Sequence, residues 1–500
     1  MTPELARLVD AVRGCTFDDF LFRPQFSVVE RRDPAVIDLS ARLTRGITLR
    51  RPLVSANMDT VTRAPMAIVQ AEEGGIGIID RGFRVGDIGP QVREVEKVKR
   101  TQHVIIRDPY AIGPHASLAE AVAVMRERRV GTLVVVDGGR LRGLLTERDV
   151  RFVPTDTGTV ESRMTPVDAL VVGQGELTLA EAERLMVERK VKKLPLVDRD
   201  GRLLGLVTAR DITRQVKLPF ATRDAHGRLM VGAAIGATGD YLERAQALVA
   251  AGVDVIVIDI AHGHSVVMAR AIEAFRRTFG DAQLIAGNVA TAEGVRFLAE
   301  RGVDAVKVGI GPGGGCTTRL TTSFGVPQIQ ALVECRLAAG FDNGVPLVAD
   351  GGIRRHGAIM EALLFGGDTV MLGSMFAGTE ETPGEIIQKP VLLPEAGRTV
   401  TVPFKVLRGM ASIQAIRDRL DVEDVEAVEL EAIGAEGTEV SVPARGSVRP
   451  VVRDILRHLC SSVSYGGASS LHELRRLFWA DPSRYLVKLS AAGRRESYDR

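Results

Sequence analysis

The sequence predicts an α/β protein, a (β/α)8 barrel with a second, smaller domain inserted into it. Three observations point there. Eight short apolar runs, most with Gly, Asn, Asp or Ser at or near their ends, mostly alternate with helical patterns. The runs are apolar throughout, as parallel strands buried on both faces are, rather than alternating. The alternation then stops once, between the second and third runs, and the segment that fills the gap repeats itself.

The runs are 53–57 (LVSAN), 76–80 (IGIID), 231–237 (VGAAIGA), 255–261 (VIVIDIA), 284–289 (LIAGNV), 305–309 (AVKVG), 347–351 (LVADG) and 369–374 (TVMLGS). A helix-like stretch at 64–73 separates the first two. In a barrel of this kind the chemistry sits at the carboxyl ends of the strands. Polar residues gather there: Asn57, Asp59, Asp259, Asn288, Cys316, Asp350 and Ser374. A doubly wound sheet is the alternative, but it calls for an early GxGxxG after a strand, and none stands there.

The interruption divides the chain into 1–103, 104–216 and 217–500. Its two copies, 117–150 and 178–212, each read helix, strand, turn, strand, then Thr-x-Arg-Asp. This resembles a tandem pair of CBS modules, which bind adenine nucleotides. The resemblance implies ligand contacts from Thr146, Asp149, Thr208 and Asp211. A Thr hydroxyl at a helix start reaches phosphate, and an Asp accepts ribose hydroxyls. The same residue types also serve as plain helix caps.

Bulk composition excludes several classes. A net charge of +2 and 4% aromatic residues give neither an electrostatic footprint nor stacking platforms for nucleic acid. No apolar stretch approaches membrane-spanning length, and the first residues lack a signal-peptide core. The four cysteines, Cys15, Cys316, Cys335 and Cys460, stand far apart, as reduced thiols of a cytoplasmic protein do.

The sixth run leads into residues 306–327, VKVGIGPGGGCTTRLTTSFGVP, where five of the seven residues 309–315 are glycine. Such a loop lets backbone N–H groups approach a ligand, and a thiol directly after it is a candidate nucleophile. Beyond the eighth run, 391–406 reads as a hairpin around Glu395-Ala396-Gly397, followed by an acidic excursion at 418–436. A long excursion from the carboxyl edge of a barrel is how active-site lids are built, and it spans about 378–445 here. A helical pattern at 451–459 and a tail close the chain.

GIGPGGGCTTR (309–319), with SANMDTVT (55–62), EGGIGII (73–79), AGNVAT (286–291), ADGGI (349–353), LGSMFAGTEETPGE (372–385) and RGMAS (408–412), resembles the inosine monophosphate dehydrogenase and guanosine monophosphate reductase family. The resemblance covers nearly the whole chain. It implies that Cys316 attacks C2 of a purine nucleotide while hydride passes between C2 and a nicotinamide. Thr318 would serve the group entering or leaving C2, and Asp350 the ribose hydroxyls. Gly352, Gly373 and Ser374 match the phosphate cradle, and Ser55 and Met58 further nucleotide contacts. Asp259 and Asn288 would meet the nicotinamide riboside. The carbonyls of Gly311, Gly313 and Cys316 match those that hold a monovalent cation, usually K+.

Three positions depart from the family pattern. Gly314 replaces the usual serine of the phosphate-binding loop, Leu407 a phosphate-contacting tyrosine, and Leu420 the tyrosine of the lid's Asp-Arg-Tyr. Arg419 is the match for the dehydrogenases' base toward water, and Glu436 for the reductases' catalytic Glu. On balance the motifs favour NAD-dependent oxidation of inosine monophosphate to xanthosine monophosphate. NADPH-dependent reductive deamination of guanosine monophosphate is the alternative, and a non-catalytic nucleotide sensor the third reading. The resemblance also implies a homotetramer, with octamers formed through the repeat modules, and an adenine nucleotide effector.

Overall fold

In the computed structural model, eight parallel strands close into a barrel whose order around the ring follows the chain. They are β1 (Leu53–Ser55), β2 (Ile76–Ile79), β3 (Gly232–Ile235), β4 (Val255–Asp259), β5 (Leu284–Val289), β6 (Ala305–Val308), β7 (Leu347–Asp350) and β8 (Thr369–Leu372). β8 pairs back onto β1, with Leu372 opposite Ser55. The structure describes residues 2–101, 105–106, 109–128, 130–151, 158–175, 177, 179–209, 218–393, 398–420 and 436–498. All eight predicted runs are the barrel strands.

The strands lie where the sequence is apolar because both faces are covered. Val255–Ile258 are at most 1% exposed, with the barrel interior on one side and helices on the other. The helix after β4 is amphipathic in step. Ser265 caps Val266–Phe279 by accepting from the Met268 N–H, and Gly280 ends the helix at φ +53°. Its buried face is Met268, Ala271, Ile272 and Phe275, the i, i+3, i+4, i+7 stripe. Phe275→Ala would cost about 3–5 kcal/mol.

The chain divides into two compact units, Met1–Thr101 with Phe220–Asp224 and Leu229–Arg500, and Gln102–Pro219 with Ala225–Arg228. The second unit holds the repeat. In each copy a helix (Leu118–Arg128; Leu179–Glu188) precedes an antiparallel pair (Thr132–Asp137 with Arg140–Thr146; Lys193–Val197 with Leu203–Thr208). A short strand just before each copy joins its pair in parallel, Ala111–Ile112 for the first and Gly173–Gln174 for the second. Each helix packs on its own pair, Leu118 and Met125 against Leu133 and Leu145, and Met186 against Leu194 and Val207. The opposite faces meet through Val134, Leu144, Val197 and Leu206. The Thr146 N–H and hydroxyl both donate to Asp149 Oδ2 at 2.7 Å, a helix-capping arrangement. Thr208 ends the second copy's last strand. Asp211 lies outside the described residues.

Beyond β8 the predicted hairpin is longer than its sequence signal. Ile387–Leu393 pairs with Arg398–Arg408, and Glu439–Pro443 adds a third antiparallel strand. The turn at Glu395-Ala396-Gly397 and most of the acidic excursion, 421–435, lie outside the described residues. A long helix runs Val448–Tyr465, extending the 451–459 pattern at both ends, with Ser447 as its cap, and three shorter helices follow it. Among the described residues, no helix is long and apolar enough to cross a membrane.

Candidate active site

The carboxyl ends of the strands surround a cavity of about 230 Å³. Backbone constraint shapes the loop after β6. A Cβ on Gly309 (φ +147°) would lie 2.0 Å from the Asp350 carbonyl oxygen, so β6 and β7 approach each other only because that position is glycine. A Cβ on Gly311 (φ +77°) would strike the Arg319 side chain, whose Nε donates to the Ile310 carbonyl at 3.0 Å. Arg319 thus fastens the loop to the short helix Thr318–Thr322 and fixes the Cys316–Thr318 segment between them.

Cys316 is the one cysteine of the four that is not buried. Its Sγ lies 3.2 Å from Thr318 Oγ1, which donates to Glu436 Oε2 at 2.6 Å. Glu436 is delivered by the returning end of the excursion, which pairs with the cysteine loop as a strand would. Thr317 N–H donates to the Glu436 carbonyl at 2.9 Å, and Thr438 N–H to the Gly315 carbonyl at 3.0 Å. Gly409 lies against this pair, where a Cβ would meet the Gly315 oxygen at 2.3 Å. A thiol, a hydroxyl and a carboxylate are therefore in line at the mouth of the barrel.

Deeper in the cavity stands Lys307, with its side chain 3% exposed. Its Nζ is 2.8 Å from Asp259 Oδ2 and 2.6 Å from Asp350 Oδ2. Burial alone would lower the lysine pKa, but the two carboxylates hold it above its ordinary value. Burial likewise works against ionised Asp259, yet Lys307 and Arg81 keep its pKa below the usual range. Asn57 Nδ2 donates to Asp259 and Asn288 Nδ2 to Asp350, both at 2.9 Å. The Asn288 Oδ1 atom is buried without a hydrogen-bond partner. It points to a ligand donor, since a buried amide oxygen left unpaired costs about 1–3 kcal/mol.

Opposite, three loops converge. A Cβ on Gly314 would sit 3.7 Å from Ser374 Oγ and 3.8 Å from Arg354 Nη2, ordinary contact distances. Gly314 follows β6, Gly352 and Arg354 follow β7, and Gly373 and Ser374 follow β8. The ends of strands seven and eight are where barrels of this type bind phosphate.

Of the residues singled out in the sequence, Met58, Asp259, Asn288, Gly311, Gly313, Gly314 and Cys316 line the cavity, as do Thr318, Asp350, Gly352, Gly373, Ser374 and Glu436. Leu407 lines it too. Ser55 is different. Its hydroxyl is fully buried at the end of β1 and accepts from Thr62 Oγ1 at 2.9 Å, away from the lining. Arg419 closes the helix Ile413–Arg419, and its guanidinium donates to the Met410 and Ala415 carbonyls at 3.2 Å. Burial, then the nearby Arg81, pull its pKa down to about 10. Thr146, Asp149 and Thr208 belong to the other unit. Sequence reading missed Lys307, Arg81 and Arg354. Lys307 carried a signal, a lone charge inside an otherwise apolar strand.

The fold and site define a class: a (β/α)8 enzyme with a half-exposed thiol at the carboxyl ends of its strands. Residues 14–499 match the family model described as the IMP dehydrogenase / GMP reductase domain, and the chain belongs to that family. It is 43% identical to an inosine-5'-monophosphate dehydrogenase of Aquifex aeolicus, covering 97% of this chain and 95% of that protein. Against the dehydrogenase of the same name from Bacillus subtilis the identity is 41%, again over 97% and 95%. Among solved structures it resembles a GMP reductase from Trypanosoma brucei in complex with guanosine 5'-monophosphate. That match has a TM-score of 0.83 and 38% identity, and it covers 97% of both chains.

Proposed function

We propose that this enzyme oxidises inosine monophosphate to xanthosine monophosphate with NAD. The observation that carries this reading is Cys316, half-exposed at the barrel mouth and in line with Thr318 and Glu436. Relatives named as dehydrogenases at 40–43% identity over nearly the full chain support the direction. The Cys316 thiolate adds to C2 of the purine, and the C2 hydrogen leaves as hydride. NAD, when bound, accepts that hydride. Asp259 and the unpaired Asn288 Oδ1 fit the nicotinamide riboside, because both offer acceptors to its hydroxyls. Asp350, steadied by Lys307 and Asn288, holds the substrate ribose. Ser374 Oγ, Arg354 and the N–H groups of Gly314, Gly352 and Gly373 take the phosphate.

Oxidation leaves the purine joined to Cys316 as a thioimidate. Water then adds at C2, its proton passes to a base, and the thiol departs. Arg419, the match for the family's base toward water, takes that role, and burial together with the nearby Arg81 draws its pKa down to about 10. The carbonyls of Gly311, Gly313 and Cys316, which the family match assigns to a monovalent cation such as K+, would offer it uncharged oxygen donors. The repeat unit acts as a tandem CBS pair that binds an adenine nucleotide, and the assembly is a homotetramer that pairs into octamers.

A second reading has its own observation. The 2.6 Å Thr318–Glu436 hydrogen bond beside the thiol would equally carry a proton to departing ammonia, as reductive deamination of guanosine monophosphate requires. Paired turnover assays separate the two. Inosine monophosphate with NAD and K+ should generate absorbance at 340 nm, and guanosine monophosphate with NADPH should release no ammonia. The reverse pattern would establish the reductase. Nucleotide-dependent changes in assembly with no turnover in either assay would instead favour a sensor.

A further inference from the structure

Away from the barrel mouth, two histidines and an aspartate from two helices meet at one point. His356 opens the helix His356–Leu364, which follows the β7 loop. Asp454 and His458 stand four apart on the helix Val448–Tyr465 and so share one of its faces. His356 Nε2 is 3.3 Å from Asp454 Oδ2, and His458 Nε2 is 3.6 Å from the same oxygen. All three ligating atoms lie within 4.8 Å of one another. The imidazole rings stack, with centroids 4.4 Å apart and planes 33° from parallel.

We propose that His356, Asp454 and His458 form a binding site for a divalent transition metal, Zn2+ above all. Zinc bonds to imidazole nitrogen and carboxylate oxygen are about 2.0–2.2 Å long, so neighbouring ligand atoms on a tetrahedron are about 3.3–3.6 Å apart. Two of the three edges already have that length. The third closes by rotation of an imidazole, which is free to turn because His458 is 55% exposed. Two nitrogens and one oxygen select zinc, cobalt or nickel over calcium or magnesium, which demand oxygen ligands.

The surroundings fit the same purpose. Asp454 Oδ1 accepts from Arg457 Nη2 at 3.2 Å, which turns Oδ2 toward the histidines. A surface ion pair needs one imidazole. Here two converge on a single carboxylate oxygen, leaving a fourth position for water. A bound ion would tie the helix that begins six residues after Asp350 to the helix Val448–Tyr465, bracing the β7 side of the phosphate cradle from outside. The inference does not depend on which reaction the barrel performs.

The test is calorimetric titration of the chelator-treated full chain with Zn2+, paired with Co2+ absorption spectra. One ion should bind per chain and raise the melting temperature. Both effects should fall at least about tenfold in affinity in His356→Ala and in His458→Ala. Metal-free His458→Ala should melt with the metal-free parent, which separates ligand loss from misfolding. Cys316→Ala should bind as the parent does, and the Co2+ spectrum should lack sulfur-to-metal charge transfer. Failure to take up zinc, binding that survives both histidine substitutions, or binding that disappears with Cys316→Ala would overturn the assignment.

Discussion

The Thr318 hydroxyl donates to Glu436 Oε2 at 2.6 Å while standing 3.2 Å from the Cys316 sulfur. Two residues more than a hundred positions apart in sequence are thereby joined beside the thiol, and on the proposed reading they carry its protons. Removing either end should slow the steps that move a proton at C2. We expect Thr318→Val and Glu436→Gln each to lower kcat by about 10²–10⁴-fold, with KM for the nucleotide little changed. Steady-state kinetics decide it, and a large rise in KM with unaltered kcat would make the pair a binding element instead.

Arg419 makes a separable prediction. If it is the base toward water, Arg419→Gln spares the hydride step, so the first turnover still yields a burst of reduced cofactor while the steady state falls. The parent's hydrolytic step should accelerate as pH rises toward about 10, because the neutral guanidine is the active form. Stopped-flow measurement at 340 nm across pH tests both. Loss of the burst itself would remove Arg419 from the role.

At Gly314 the phosphate cradle has room to spare. The backbone is not in the left-handed region, and a Cβ meets nothing nearer than 3.7 Å. Gly314→Ser should therefore be accommodated and supply a hydroxyl to the phosphate. A hydrogen bond to a charged group contributes about 1.5–3 kcal/mol, so KM for the nucleotide should fall by about 10- to 100-fold. A higher KM would mean that the phosphate sits elsewhere.

Glu361 links stability to pH. Burial raises its pKa from 4.5 to about 7 although Arg355 opposes the shift, its Nη2 lying 2.6 Å from Glu361 Oε1. The folded state therefore favours the protonated acid. The associated stability is fully present below the unfolded value and is lost as pH rises through about 7. Glu361→Gln should raise stability at pH 8 by up to about 3 kcal/mol and leave it nearly unchanged at pH 4. Urea melts at the two pH values measure the difference, and a destabilised variant at pH 8 would show that the Arg355 pair outweighs burial.

These contrasts show what the sequence could disclose. Each barrel strand was visible because burial on both faces demands an unbroken apolar run, as in Val255–Ile258, and local composition records that demand. Cys316 and Gly311 stood out because a thiol after clustered glycines is a local pattern. Lys307 was less visible, since its meaning depends on Asp259 from β4 and Asp350 from β7. Ser55 illustrates the converse. The family resemblance marked it as a nucleotide contact, and its hydroxyl accepts from Thr62 inside the wall. The clasp between Gly315 and Thr438 was hidden because strand-like pairing across so long a separation leaves no periodicity in either partner.

The central claim is that Cys316 carries the purine during turnover. Acid quenching of the enzyme while it oxidises inosine monophosphate, followed by digestion and mass spectrometry, tests this most directly. A nucleotide adduct is expected on the peptide containing Cys316, with Cys316→Ala folded, inactive and unmodified. An adduct on another residue, or turnover that survives Cys316→Ala, would contradict it.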